Sequence, residues 1–284
     1  FSSRRRHTRY ISVTGVQTCA LPIYGNNLMK NNYLRGIFFT VSLLSATTGF
    51  AQKAGDTVLG VGWAFIHPNG SLGSATTTGG GTIPSGTYAG YPEAAIFNGA
   101  LVGASANIDK TSTPTISILH MFTNDIGAEL SLGVPPKLTV NMAAPHNPSE
   151  PVVNAAATAK SFTPALVAKY FFNSPESALR PYVGLGVTHA SFRSIQPRTS
   201  SLTVAELAGT SASLSSTWAP VYNLGLIYNI NDKWSINASV SYIPLATDVK
   251  FVGPGFSPLL PPVTTTTRLT INPTDYVIRL GYEF

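Results

Sequence analysis

The sequence predicts an all-β fold: an eight-stranded antiparallel transmembrane β-barrel of the up-and-down type, with short periplasmic turns and long extracellular loops. Apolar residues alternate with small or polar ones along eight segments, the connections alternate between short and long, and a signal peptide precedes them. This alternation is typical of a wall with lipid outside and a polar interior. A soluble sandwich also alternates, but it buries its apolar face against a second sheet.

A secretory signal peptide is predicted at residues 29–51. A basic start, an apolar run from Gly36 to Ala46 and small residues up to Ala51 are its three parts. The run is shorter than the roughly 20 apolar residues that a membrane-spanning helix needs. We therefore expect cleavage after Ala51 and a mature barrel domain at 52–284.

Residues 1–28 precede the signal peptide, and we exclude them from the predicted fold. The segment Val13–Ile23 resembles translated sequencing-adapter read-through. The alternative is a basic leader or a nucleic-acid-binding arm, since four arginines occur in the first nine residues. A signal peptide works at the amino terminus, which leaves no room for such an arm ahead of it.

This exclusion changes the charge balance. The whole chain carries 18 basic and 12 acidic residues, and six of the basic ones but none of the acidic ones precede Gln52. The mature net charge is therefore zero, which argues against a nucleic-acid partner. Cys19 is the single cysteine and is also excluded. The histidines are dispersed, so we expect neither a metal site nor a cofactor.

The first four strands are predicted at Thr57–Ile66, Thr115–Phe122, Ile126–Leu132 and Leu166–Phe172. In the first strand, glycines alternate with large apolar residues, as a narrow interior requires. A long Gly-, Thr-, Ser- and Pro-rich stretch follows it. A tight turn at 123–125 joins the second strand to the third, and a Pro-rich loop follows the third.

The last four strands are predicted at Pro181–Phe192, Tyr222–Tyr228, Trp234–Tyr242 and Thr267–Phe284, the last interrupted at Pro273. The connections at 173–180 and 229–233 are short, like the turn at 123–125, whereas the four other connections are long. Aromatic residues near the strand ends are predicted to lie at the lipid interface: Tyr170, Phe172, Tyr228 and Trp234. Because the closing strand presents its aromatic face to lipid, we expect Tyr282 and Phe284 to signal outer-membrane assembly to the barrel-assembly machinery.

Six segments in this order resemble the OmpW family: Ala54–Asp56, Thr123–Leu130, Arg180–Gly186, Trp218, Asn231–Trp234 and Gly281–Phe284. The likeness covers essentially all of 52–284. It implies an integral barrel of the Gram-negative outer membrane with a narrow lumen. It also implies passive passage of small molecules, hydrophobic ones among them, into the membrane through a lateral opening. The long loops are richer in Pro and Thr than the family pattern.

Three charged residues are assigned to the barrel interior, each a few residues from the periplasmic end of its strand: Glu129, Lys169 and Arg279. At about 3.3 Å per residue, the three can meet at one level. Two interpretations stay open. Buried charges need partners, so the cluster is a plug that ties the barrel together; alternatively, it is a gate on a permeation path.

Two other functions compete with a channel. One is a structural or surface-interaction barrel with a closed lumen, whose external loops bind partners. The other is a lipid-modifying hydrolase, because His189 and Ser191 resemble the His-x-Ser pair of outer-membrane lipid A deacylases. An acid to orient the histidine is not evident, since Glu206 lies in a polar loop. We therefore expect no enzyme, and outer-membrane lipids as the surrounding partner.

The predicted signal peptide is testable by intact mass. Protein purified from the cell envelope should begin near Gln52, because the signal peptidase removes residues up to Ala51. A mass that retains Arg4–Arg9 would contradict both the signal peptide and the exclusion of residues 1–28.

Overall fold

Every regular element of the described chain is a β-strand. The computed structural model describes residues 52–73, 75–79, 99–101, 105–143, 152–198, 200, 211–253 and 263–284, so the predicted signal peptide lies outside it. No described helix is long and apolar enough to cross a bilayer. The strands are, in chain order, β1 (Thr57–His67), β2 (Ser71–Leu72), β3 (Ala75–Gly79), β4 (Gly99–Leu101), β5 (Ser105–Ile108), β6 (Thr111–Met121), β7 (Ile126–Gly133), β8 (Lys137–Ala143), β9 (Val152–Phe162), β10 (Ala165–Phe171), β11 (Leu179–Pro197), β12 (Ser211–Leu214), β13 (Thr217–Asn229), β14 (Trp234–Tyr242), β15 (Ala246–Gly253), β16 (Val263–Thr270) and β17 (Thr274–Glu283).

Eight of these strands close into an antiparallel barrel. Their order around the wall is β1, β6, β7, β10, β11, β13, β14 and β17, and β17 pairs back with β1. Each barrel strand pairs with the barrel strands before and after it in the chain, which is the up-and-down arrangement. The predicted fold class is confirmed.

The outer face of the barrel carries the apolar residues that alternation assigned to it. Leu185 on β11 is 60% exposed and Leu224 on β13 is 57% exposed, whereas Val221 and Ile227 face inward and are buried. An apolar surface of this extent needs a cover, and hydrocarbon covers the same band in transmembrane barrels. The alternation of β13 therefore separates lipid from lumen.

An aromatic row surrounds the end of the barrel that has the short turns. The rings of Tyr170 and Phe172 meet edge to face with their centroids 5.2 Å apart. The ring of Tyr282 lies 4.9 Å from that of Trp234 and 5.1 Å from that of Phe284. Rings of this kind prefer the boundary between lipid tails and water. An interfacial role for the row stays a prediction.

Side-chain oxygens hold two of the short turns. The Thr123 hydroxyl accepts hydrogen bonds from the backbone amides of Asp125 and Ile126. The Asn231 carbonyl oxygen accepts from the amides of Lys233 and Trp234 in the same way. The third turn is shorter than the predicted 173–180, because β11 already includes residues 179 and 180.

The other strands extend the wall on the extracellular side as two sheets. One sheet contains β5, β8 and β9, and its strand β9 pairs with the last residues of β11, Ser191–Pro197. The other sheet contains β12, β15, β16, β3 and β4, and the short strand β2 also pairs with β16. The long connections therefore contain strands that the sequence did not predict. Their Thr-rich composition indicated loops, yet Thr76–Thr78 pairs with Thr264–Thr266. Threonine is β-branched and packs well on a pleated surface.

Prolines lie where barrel strands meet the extracellular sheets. The predicted final strand at Thr267–Phe284 is wrong in one respect, because it is two strands, β16 and β17. Pro273 lies between them and has no backbone N–H, and Asn272 takes a φ of 38°. Pro136 between β7 and β8 and Pro164 between β9 and β10 occupy similar junctions.

The lipid-facing surface is testable with two arginine variants. Leu224→Arg should lower the free energy of unfolding by about 2–4 kcal/mol, because it places a charge in the hydrocarbon band. Val152→Arg is the matched control, since Val152 is 58% exposed but lies on the extracellular strand β9. Denaturant titrations of protein refolded into lipid vesicles measure both. Equal losses would contradict the assignment of the band.

Candidate functional site

Glu129 is the centre of a buried ionic cluster inside the barrel. Its Oε2 accepts a hydrogen bond of 2.7 Å from Lys169 Nζ, and its Oε1 accepts one of 3.1 Å from Arg279 Nη1. The three residues come from β7, β10 and β17, and all three are buried. The structure thus brings together the three charged residues that the sequence assigned to the interior. We call them the ionic layer.

Neighbouring hydroxyl groups complete the ionic layer. Ser131 Oγ donates to Glu129 Oε1 at 3.0 Å and accepts a hydrogen bond from Arg279 Nη2 at 3.0 Å. The Nε of Arg279 points at Thr115 Oγ1, 3.4 Å away. A buried carboxylate with two cations and a hydroxyl donor has the partners that offset its loss of hydration. The layer therefore ties β6, β7, β10 and β17 together across the lumen.

Tyr182 extends this network, and the sequence reasoning missed it. Lys169 Nζ lies 4.3 Å from the centroid of the Tyr182 ring, and the Tyr182 hydroxyl donates to Asn237 Oδ1 at 3.0 Å. A Cβ atom at Gly225 would overlap the Tyr182 ring, so the glycine makes room for it. The alternation of β11 and the glycine on β13 were the two signals in the sequence that pointed to an inward tyrosine.

Gly62 provides space of the same kind for Arg279. The two residues are direct partners across β1 and β17. A Cβ atom at Gly62 would lie 2.6 Å from the Cα atom of Arg279 and 2.8 Å from its Cγ atom. Real Cβ atoms do not approach other atoms so closely. The small inward residues of the first strand thus leave room in the lumen for the side chains of the neighbouring strand β17.

A second polar layer closes the periplasmic end. Arg180 is fully buried there and donates a hydrogen bond of 2.7 Å to the carbonyl oxygen of Gln52 and another to that of Asn124. The backbone amide of Gln52 donates to Glu283 Oε2 at 2.8 Å. The guanidinium of Arg180 also lies 5.1 Å from the Phe171 ring centroid. The sequence reasoning placed Arg180 in a turn and so missed this layer.

Apolar side chains fill the space between the two polar layers. They form one buried cluster: Val58, Leu119, Met121, Phe171, Tyr182 and Ile227. We call the second polar layer, around Arg180, the basal layer. Together, the ionic layer, this cluster and the basal layer occupy the periplasmic half of the lumen. The described side chains of that half are buried against one another.

The extracellular half contains a cavity of about 90 Å³, which we call the upper cavity. Glu129 and Arg279 line it on the side of the ionic layer, and its walls include Val167, Val221 and Ser239. A smaller cavity of about 30 Å³ continues toward the extracellular sheets. The lumen thus changes from filled to partly hollow at the ionic layer.

The residues of the hydrolase hypothesis do not form a catalytic arrangement in the described part of the chain. The His189 ring packs against Trp218 with centroids 4.9 Å apart, and Ser191 Oγ lies 3.4 Å from the Phe162 carbonyl oxygen. No hydrogen bond joins His189 to Ser191 or to a described carboxylate. Glu206 lies outside the described residues. Among the described residues, no group of three or more His, Cys, Asp and Glu side chains could hold a metal ion.

Comparisons of the sequence with known proteins point to one family. The OmpW family profile matches residues 92–284. Outer membrane protein W of Salmonella typhi is 26% identical over 253 residues, which covers 87% of this chain and 99% of that protein. Outer membrane protein AlkL of Ectopseudomonas oleovorans is 25% identical over 190 residues, which covers 66% of this chain and 72% of that protein.

Solved structures support the same fold. The crystal structure of the outer membrane protein OprG from Pseudomonas aeruginosa matches with a TM-score of 0.66 and 22% identity, over 83% of this chain and 99% of that one. The solid-state NMR structure of AlkL in DMPC lipid bilayers matches with a TM-score of 0.51 and 22% identity, over 90% and 97% of the two chains. At this identity, the likeness concerns the fold alone.

The ionic layer predicts unequal effects for its members. Glu129→Gln should lower the free energy of unfolding by about 3–5 kcal/mol, because it leaves Lys169 and Arg279 as buried like charges. Lys169→Met should cost less, because Arg279 still compensates Glu129. Equilibrium refolding in lipid vesicles measures both losses.

The control for this comparison is an exposed ion pair. Asp248 and Arg268 lie 3.9 Å apart with side chains 73% and 69% exposed, so Asp248→Asn should cost at most about 1 kcal/mol. Equal losses for Glu129→Gln and Asp248→Asn would show that the ionic layer does not hold the barrel together.

Proposed function

The chain belongs to the OmpW family and is an integral β-barrel of the outer membrane; from this premise we propose that it is a narrow passive channel for small molecules, including hydrophobic ones. In this proposal the molecule enters the upper cavity from outside and leaves sideways into the membrane. It does not cross the periplasmic half of the lumen.

The contrast between the two halves of the lumen carries this proposal. The periplasmic half holds the ionic layer, an apolar cluster and the basal Arg180. The extracellular half holds the upper cavity, whose walls are largely apolar side chains and small hydroxyl groups. A molecule that reaches the ionic layer would have to break buried charge pairs to go further. A lateral exit avoids that cost.

The wall beside the upper cavity has a segment with few hydrogen bonds. The β6–β7 ladder ends where Thr115 pairs with Gly133, and the β5–β8 ladder begins where Ile108 pairs with Val140. Between them, among the described residues, two backbone hydrogen bonds link 109–114 to 134–139. Pro136, which lines the cavity, cannot donate one. We propose that this segment is the lateral exit.

The same proposal includes contacts with outer-membrane lipids and with the barrel-assembly machinery. Outer-membrane lipids would surround the apolar band and meet the aromatic row, in which Tyr170, Tyr228 and Trp234 are exposed. Tyr282 and Phe284 would present the last aromatic pair to the barrel-assembly machinery. The role would be non-enzymatic, because the matched relatives are named as outer-membrane proteins and His189 and Ser191 are not paired.

A structural barrel is the second candidate, and the ionic layer itself favours it. A lumen closed by two buried ion pairs would pass nothing if the wall segment at 134–139 stayed shut. The function would then be the binding of outside partners by the two extracellular sheets, which contain the described residues farthest from the membrane. The two candidates differ in whether small molecules pass through the upper cavity.

Blocking the upper cavity tests the channel. Ser239 lines the cavity, and Ala238 beside it faces outward on the same strand. Ser239→Phe should lower the initial rate at which cells accumulate a small hydrophobic dye, by about tenfold, because the ring occupies the cavity. Ala238→Phe adds the same ring toward the lipid and should leave the rate unchanged.

The cells should carry lipopolysaccharide, and rates should be normalised to the amount of folded barrel. Planar-bilayer current provides a second measurement, in which Glu129→Gln should raise conductance by weakening the layer that closes the lumen. If dye accumulation follows neither barrel level nor Ser239→Phe, the closed structural barrel replaces the channel.

A further inference from the structure

Three inward-facing residues form a row across neighbouring strands at the level of the upper cavity. The ladder register pairs Asp275 of β17 with Ser241 of β14, and Ser241 with Asn223 of β13. Neighbouring strands lie about 4.8 Å apart, so the Cα atoms of Asp275 and Asn223 are roughly 10 Å apart. All three side chains line the upper cavity. One small ligand in the cavity can therefore reach both ends of the row.

Asp275 has no partner in the described part of the barrel. Its Oδ1 is buried without a hydrogen bond, and none of the described ion pairs includes it. Arg279 is the inward cation on the same strand, but four residues place it about 13 Å away along β17. The guanidinium of Arg279 is also occupied by Glu129 and Ser131. An ionised carboxylate without a partner is costly in such a place, so it either takes up a proton or gains a ligand that supplies the opposite charge.

Asn223 contributes a second unpaired acceptor. Its Nδ2 donates to the Val240 carbonyl oxygen at 3.2 Å and to Ser241 Oγ at 2.9 Å. A carbonyl oxygen can only accept, so the Val240 contact sets the orientation of the amide. The Oδ1 of Asn223 then faces away from these two acceptors and is buried without a partner. Two acceptors in one cavity thus lack donors.

We propose that Asp275, Ser241 and Asn223 form a binding site for a small primary ammonium ion that carries a short apolar group. Its positive charge would compensate Asp275, and its three N–H donors would reach both unpaired acceptors. The apolar part would pack against Val221 and Val277, which line the same cavity. This inference rests on the proposed channel for the route into the cavity and deepens it by naming a class of permeant.

The size and chemistry of the site narrow the choice of ligand. The upper cavity is small, at about 90 Å³, which favours a ligand with a short apolar group. A divalent metal ion fits poorly, because Glu129 is already paired with Lys169 and Arg279 and leaves Asp275 as the one unpaired carboxylate of the cavity lining. The described residues also contain no group of three or more His, Cys, Asp and Glu side chains that could hold a metal ion. A neutral alcohol would leave the charge of Asp275 uncompensated.

An NMR titration of the refolded barrel in detergent micelles tests the site. The probe is n-propylammonium in sodium phosphate buffer, without any competing amine. The folded protein should bind it saturably, and Asp275→Asn should weaken binding at least tenfold through loss of a charge-assisted hydrogen bond. Asp248→Asn removes an exposed carboxylate in the extracellular sheet and should change the affinity less than twofold.

Two analogues separate charge from hydrogen bonding. Tetramethylammonium carries the charge without N–H donors, and n-propanol has a donor without the charge. Each should bind at least tenfold more weakly than n-propylammonium. Absence of saturable n-propylammonium binding, equal binding of either analogue, or an unchanged affinity in Asp275→Asn would overturn the inference.

The stability of the variant adds an independent measurement. Asp275→Asn removes a buried charge that has no partner, so the free energy of unfolding should not fall. A clear fall would mean that Asp275 has a structural role, against the inference. The dye assay keeps the two proposals apart: if n-propylammonium does not bind but Ser239→Phe still slows accumulation, the ammonium site fails while the channel stands. Binding without accumulation would mean that the site lies in a closed barrel.

Discussion

The carboxylate of Glu129 places the strongest constraint on the inside of this barrel. A closed wall of eight strands leaves little room for water, so a charge that points inward must find its partners on other strands. Glu129 finds Lys169 on the neighbouring strand and Arg279 on the strand that closes the barrel. From Lys169 the contacts continue through the rings of Tyr182 and Phe171 to Arg180 at the base. A single column of contacts therefore joins the ionic layer to the periplasmic end of the barrel.

This column explains why the two halves of the lumen differ. Bulky and charged side chains fill the periplasmic half, and glycines on neighbouring strands make room for them, as Gly225 does for Tyr182. Above the ionic layer the inward residues are mostly Ser, Thr, Val and Ala, which leave the upper cavity open. Pro136, at the junction between β7 and the extracellular strand β8, cannot donate a backbone hydrogen bond in the wall beside this cavity. A filled base, a hollow upper half and a sparsely hydrogen-bonded side wall are the three features that support the lateral exit we propose.

The upper cavity combines two chemical characters. Most of its surface is apolar, which suits the hydrophobic molecules that the family resemblance implies. Asp275 and Asn223 add unpaired acceptors at one side, which suits a ligand with a positive charge and N–H donors. A cavity of this size accepts one small molecule at a time, so selectivity would depend on how well that molecule satisfies both characters. The apolar character belongs to the proposed channel and the unpaired acceptors to the proposed ammonium site, and each proposal has its own measurement.

The sequence by itself determined the number and outward faces of the barrel strands, the places of the short turns and the three members of the ionic layer, but not the start of the last strand or the length of the third turn. Alternation has a period of two residues and turn residues act locally, so no knowledge of distant strands was needed. Only the tertiary structure decided that Tyr182 meets Asn237, that Arg180 closes the base, that the Thr-rich connections pair as strands, and that Asp275 and Asn223 share one cavity. These contacts join residues far apart in the chain. They depend on the register and closure of the wall, which a local pattern does not contain.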